Sequence, residues 1–337
     1  MSGSLGDVQG SLAALYENLQ TLVLLLFTDP TQLSYGQAFV LVGVSVLLVA
    51  TVVWTFFGRQ NGTMVFINAV LRTFGTGQTK TGAGFTPGKV YVYGPPSVKA
   101  IPSLFPFSMK LETYLRMADI PYQPVHVWST QGPKVCAYTS CNGKIPWIEY
   151  NGEAMGDSGL ILEFLNKEKD VDLNQSLSEA DKAVSRAFTK MVEESTYWGL
   201  VQSRYMDNYG KLHDLFELPW TVMFLVRSVG QREIRQMMRG HGIGRHSKEE
   251  IEGIMEKDLK AISSFLGAKP YLMGDEPTEV DAAVFGQLSE IVWTAPDSYL
   301  HRIVTVDYPN LLVYCNRIKD RYWSDWDQLT KKSKKDK

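Results

Sequence analysis

Asp157 and Ser158 supply two side-chain oxygens where a helix begins, with Ile161, Leu162, Phe164 and Leu165 following at helical spacing. A helix start exposes unpaired backbone N–H groups and the positive end of the peptide dipole, so it is a seat for a carboxylate. Upstream, Pro146 lacks an N–H and belongs at the first residue of a strand or on a sheet edge. Capping a helix and closing a hairpin require these same residue types whether or not a ligand binds. Other chemistry-bearing sets are thinner. Cys136, Cys141 and Cys315 have no zinc-ligand spacing, and their odd number fits a reducing compartment. His241 and His246 flank a glycine-rich run between helical patterns rather than after a strand, so the run is neither a dinucleotide fingerprint nor a metal set. No metal site is expected.

The elements that must position Asp157 and Pro146 follow from residue periodicity. Trp147, Ile148, Glu149 and Tyr150 alternate with period 2, and Asn151-Gly152 tolerates positive φ in a two-residue hairpin. Val90-Tyr91-Val92-Tyr93 has strand composition and stops at Gly94-Pro95-Pro96. Pro106 opens a helix with Leu111, Leu115 and Ala118 on its buried stripe, and Pro121 closes it. A second strand is predicted over residues 124–128, parallel to the first across a right-handed crossover. From Ser176 the pattern changes to long helices. Val184, Phe188 and Val192 form a helical column, and Ser247…Glu250 and Thr278…Asp281 are capping boxes ahead of apolar runs.

The chain of 337 residues has room for about two domains, and a net charge of −2 argues against nucleic acid as a partner. Residues 38–57, from Ala38 to Phe57, are free of charge, and twenty helical residues rise about 30 Å, one hydrocarbon thickness. They are read as one transmembrane helix in contact with a lipid bilayer. Acidic residues precede this run and Arg59, Arg72, Lys80 and Lys89 follow it, which places the C-terminal part in the cytosol. The expected organisation is an N-terminal segment over 1–37, the membrane helix over 38–57 and a Gly/Thr-rich linker over 58–88. An α/β domain follows over 89–168, then an all-helical domain over 176–326 and a basic tail over 327–337. The expected location is a single-pass membrane protein, with the plasma membrane, endoplasmic reticulum and mitochondrial outer membrane left open.

The run from Lys144 to Gly159 resembles the glutathione-binding half of the glutathione S-transferase superfamily. There a thioredoxin-like domain presents a cis-proline loop, a hairpin, then an acidic residue and Ser at a helix start. The stretch KPYLMGDEPTEVDAAVFGQL resembles the superfamily's C-terminal signature, with Asp281 as the box acid. More narrowly, KLETYLRMADIPYQ, KIPWIEYN and HGIGRHSKEEIEGIMEKDL are similar to the failed axon connections family, relatives of the metaxins. The resemblance implies a thioredoxin-like N-terminal domain followed by an all-α transferase C-terminal domain. It also implies that Pro146 is cis, that the Ile145 backbone pairs with a bound peptide, and that Asp157 and Ser158 hold the γ-glutamyl end of glutathione, the candidate ligand. Membrane association and a role in axon development come with the family.

A glutathione transferase must favour a thiolate, through a Ser or Tyr hydroxyl or a reactive Cys at the end of the first strand or just before the first helix. Relatives read Ser-Pro-Phe-Cys at the second place. This chain reads Phe105-Pro106-Phe107-Ser108. Phe105 has no proton to donate and Ser108 replaces the thiol. Tyr93, at the first strand's end, and Ser103, upstream of Phe105, are the remaining candidates for catalysis. The reading preferred is a non-catalytic interaction module with an unidentified protein partner, or a second copy as a homodimer. The alternatives are a membrane-bound glutathione-dependent transferase or peroxidase, and a metaxin-like import receptor subunit of the mitochondrial outer membrane.

Overall fold

The computed structural model describes residues 86–127, 144–216 and 220–332. Four short strands form one sheet: β1 (Val90–Gly94), β2 (Tyr122–His126), β3 (Trp147–Tyr150) and β4 (Glu153–Gly156), in the order β2-β1-β3-β4. β1 and β2 are parallel, while β3 runs antiparallel to both β1 and β4. The parallel pair requires a crossover, and α1 (Pro106–Met117) provides it. The second strand thus starts two residues before the predicted position. In the β3–β4 hairpin Asn151 and Gly152 have φ of 50° and 82°, the pair of positive values that a two-residue turn of type I′ needs.

α2 (Ser158–Lys169) follows β4 and lies with α1 on one face of the sheet. Val90, Val92, Ile148 and Met155 point to that face and pack with Leu111, Leu115, Ile161 and Leu165. The alternate residues Tyr93 and Trp147 point to the other face, as the period of two demands.

The helical part begins with α3 (Glu179–Lys190), capped by Ser178. The chain continues helically through a π-turn at Met191–Thr196, α4 (Tyr197–Val201) and a second π-turn at Gln202–Asp207. Each π-turn carries an ionic residue inward: Glu193 meets Lys110 of α1 at 2.5 Å, and Arg204 meets Glu290 at 2.5 Å. An extra residue in a turn rotates the remainder of the helix, which re-aims side chains that a regular helix would keep elsewhere. Next come α5 (Leu212–Phe216), α6 (Trp220–His241), α7 (Lys248–Leu266) and α8 (Glu279–Thr294). α9 (Tyr299–Arg302), α10 (Pro309–Tyr322) and α11 (Trp326–Lys332) complete the described chain. Residues 242–247 join α6 to α7, with Gly242 at φ 108°.

α8 is buried from Val280 to Val292 and forms the axis of the helical core. It also crosses the start of α1. A Cβ on Gly286 would stand 2.5 Å from the Pro106 carbonyl oxygen, so glycine permits the close approach. The two parts therefore share a packed interface.

The architecture expected from the sequence is corrected in one respect. The transmembrane helix assigned to residues 38–57 lies outside the described residues, and among the described residues no helix is long and apolar enough to cross a membrane. α6, with 22 residues, has the length, but Arg227, Arg232, Glu233, Arg235 and Arg239 interrupt it. The fold is a thioredoxin-like domain followed by an all-helical domain. The single-pass location with a cytosolic body, which rested on that helix, is withdrawn with it.

Candidate functional site

The sheet register brings distant candidate residues to one end of the sheet. Tyr93 pairs with Trp147, and Trp147 pairs with Gly156. The end of β1, the Ile145–Pro146 peptide and the Asp157–Ser158 helix start are therefore neighbours. The first turn of α1 arrives beside them: Ser108 Oγ lies 3.5 Å from where a Gly94 Cβ would be. Two 12-residue helices thus begin at this end.

The two starts differ. Asp157 is an exposed N-cap at φ 71°, and its Oδ1 accepts the Gly159 and Leu160 N–H groups at 2.9 and 3.1 Å. Ser158, the next residue, is buried. Phe105 is the N-cap of α1 at φ 74°, its side chain caps nothing, and Pro106 follows at the first helical position. A non-glycine residue at such φ is uncommon and costs on the order of 1–3 kcal/mol. Both unusual backbones stand at this one end of the sheet. The Phe105 ring packs against the helical core.

The Ile145–Pro146 peptide bond is cis, as the family resemblance implies. Pro146 is buried, and Ile145 packs with the Tyr93, Val127 and Trp147 cluster. Ile145 lies two positions before Trp147, where β3 and its pairing with β1 begin, so its backbone stands outside the ladder.

Tyr93 is stacked flat on Trp147, with ring centroids 3.7 Å apart and planes 6° apart. Its hydroxyl donates to Glu149 Oε2 at 2.6 Å. Burial first, then this hydrogen bond and the Glu149 charge, push the phenol well above its ordinary pKa. A phenol in this setting keeps its proton and spends it in a hydrogen bond to the carboxylate. Ser103 is wholly buried in the β1–α1 connection. Its hydroxyl is near enough to the Glu112 carboxylate to favour the charged form, without full hydrogen-bond geometry. The structure therefore brings Tyr93, Ile145, Pro146, Asp157 and Ser158 to one end of the sheet, with Tyr93 turned to the face away from α1 and α2.

Three further residues take their surroundings from the fold rather than from any local pattern. Glu149 was legible as a strand residue, but its partner is 56 positions away. Ser108 is fully buried with no partner for its hydroxyl. Glu112 accepts from Tyr122 at 3.0 Å, and burial first raises its pKa, opposed by Ser103, Tyr122 and Arg116. A shallow depression of about 620 Å³ lies on α10, lined by Val313, Asn316, Arg317, Asp320 and Arg321, and contains none of the candidate residues. Among the described residues no three His, Cys, Asp or Glu side chains form a metal-binding group.

Comparison with known proteins places this geometry. Residues 106–210 match the family model of the glutathione S-transferase N-terminal domain, and residues 255–318 match that of the glutathione S-transferase C-terminal domain. The isoprene-epoxide–glutathione S-transferase of Rhodococcus is 30% identical over 240 residues, which are 69% of this chain and 99% of that protein. Failed axon connections of Drosophila melanogaster is 31% identical over 258 residues, 72% of this chain. The chain belongs to the glutathione S-transferase-like, metaxin-related family. Its match spans 60% of the length of the Drosophila protein. Metaxin-2 of Mus musculus is 27% identical over 233 residues, 65% of this chain and 82% of that protein.

Proposed function

We propose that this chain is a non-catalytic member of its family, an interaction module that keeps the transferase-like fold without an activated thiol site. One observation carries the reading: an aromatic residue, Phe105, occupies the start of α1, and the phenol at the end of β1, Tyr93, has its proton engaged by Glu149. A thiolate needs a donor at that place, and neither residue supplies one. The start of α2, with Asp157 exposed and Ser158 buried behind it, at the same end of the sheet as Ile145 and Pro146, supports retained recognition of a peptide carboxylate, with glutathione as the candidate. The name of the Drosophila relative extends the proposal to axon connections, through a protein partner or a second copy of this chain.

Calorimetric titration of the whole chain with reduced glutathione, followed by a conjugation assay with an aromatic electrophile, tests the reading. The expected result is no thiol-dependent turnover, with or without binding. Turnover that Tyr93→Phe abolishes overturns it. That outcome would favour a second reading, a glutathione-dependent transferase, which the 99% coverage of the Rhodococcus enzyme supports. Absence of binding at millimolar glutathione would remove the ligand from both readings.

A further inference from the structure

Residues 95–105 connect β1 to α1 without a helix or strand, and such connections ordinarily run over the surface. Here Val98 is buried and Ile101, Ser103 and Leu104 are completely so. The C-terminal end of the described chain reaches this connection. Val98, Ile101 and Leu104 belong to one core cluster with Trp323 and Trp326, and Leu329 packs against it. Ser97 Oγ donates to the Leu329 carbonyl at 3.1 Å across 232 positions.

A second set of contacts fastens the same segment to α1. Arg116 lies over the Trp323 ring at 3.8 Å and holds both oxygens of Asp325 at 2.7 and 3.0 Å. It also donates to the Tyr322 carbonyl at 3.0 Å, while Trp323 Nε1 donates to Thr113 Oγ1 at 3.1 Å. The other side of Arg116 donates to the Tyr122 hydroxyl at 2.9 Å, which donates on to Glu112, beside Ser103. A polar relay therefore joins Asp325 to the neighbourhood of Ser103.

We propose that residues 322–332 are a clasp that keeps the β1–α1 connection closed over the Ser103 hydroxyl, and that the Arg116–Asp325 fork is its catch. The fork is the more exposed part of the arrangement, with Asp325 38% and Arg116 19% accessible, whereas Cys315 in the helical core is 0% accessible. Trp323 and Trp326 hold the segment by apolar burial, and the fork is its solvent-facing polar attachment, where local opening starts. Release of the fork thus frees the connection while the α8–α10 core stays folded.

The test uses the full chain with Ser103→Cys, labelled by a maleimide and read peptide by peptide in a mass spectrometer, with and without Asp325→Asn. Loss of a bidentate, charge-assisted contact is expected to speed labelling at position 103 by about tenfold, with Cys315 as protected as before. Labelling at 103 that Asp325→Asn leaves unchanged overturns the clasp. So does labelling of Cys315 that rises in step, because the opening is then global. If Ser103→Cys does not fold, hydrogen exchange of residues 95–105 in the chain with its native Ser103 decides in the same way: faster exchange confined to that stretch and residues 322–332 supports the clasp, and unchanged exchange rejects it.

Discussion

Asp281 at the start of α8 and Asp157 at the start of α2 are both carboxylates that accept backbone N–H groups, yet Asp281 is wholly buried and Asp157 is exposed. Asp281 uses both oxygens. It accepts from the Leu272 and Thr278 N–H groups at 2.8 Å each, from Thr278 Oγ1 at 3.0 Å and from the Tyr314 hydroxyl at 2.9 Å. Asp157 accepts two N–H groups of its own helix, both through Oδ1. The first cap ties a loop, a helix start and α10 together inside the core. The second ties only its own turn, on a backbone at φ 71° that an aspartate rarely adopts. A polar group that the core fully employs is architecture. One held out at an unusual backbone serves only the start of its own helix.

The largest effect belongs to the buried cap. Asp281→Ala strands two backbone N–H groups and two hydroxyls, so urea denaturation should show a loss of about 4 kcal/mol. A loss no greater than that of Asp157→Ala would erase the distinction between the two caps. The protonation of Asp281 sharpens the same point. Burial, the leading cause, raises its pKa above the unfolded value, against the four donors that favour the charged form. Between the unfolded value, about 3.9, and the raised folded value, the native state keeps a proton that the unfolded chain has lost. The stability this brings is present at acid pH and fades as pH rises through the folded value. Denaturation of the native chain and of Asp281→Asn across pH 4 to 7 should therefore show a difference that moves against the native chain as pH rises, and a constant difference would reject the burial argument.

Gly286 tests whether α8 owes its burial to α1. An added Cβ meets the Pro106 oxygen at 2.5 Å and the Lys110 nitrogen at 3.1 Å, both backbone atoms that cannot swing aside. Gly286→Ala should cost about 2 kcal/mol, read by thermal or urea unfolding, although alanine is the better helix former. An unchanged or raised stability would show that the two helices are free to part.

Local chemistry made much of this fold legible. Asn151-Gly152 announced its hairpin because only certain residues accept positive φ at both turn positions. The capping boxes at Ser247 and Thr278 were readable because cap and partner stand three residues apart. The membrane helix assigned to residues 38–57 is the reading that the described structure does not bear out. The remainder was hidden by distance along the chain. No window of sequence shows that Tyr93 donates a hydrogen bond to Glu149, that Arg204 pairs with Glu290, or that Asp325 reaches Arg116. The π-turns were hidden for another reason. Residues 179–207 keep a helical pattern throughout, and the extra residue in each turn depends on which side chains are drawn inward. Phe105 was recognisable by its place before Pro106, but its φ of 74° is a tertiary fact.

The smallest effect is the most discriminating. Asp157→Ala removes the cap and keeps a Cβ at φ 71°, so it should cost about 1 kcal/mol. Asp157→Gly also removes the cap, but glycine accepts that backbone without penalty, and the net change should be only a few tenths of a kcal/mol. The ordering arises because glycine relieves backbone strain that partly offsets the lost cap, whereas alanine keeps the strain that Asp157 already bears and loses the cap alone. If a carboxylate at 157 is kept for a ligand rather than for the helix, Asp157→Gly should leave unfolding nearly unchanged and still abolish any heat of glutathione binding. If binding heat is present in the native chain and survives in that variant, the exposed cap has no part in recognition, and it differs from Asp281 only in how deeply it is buried.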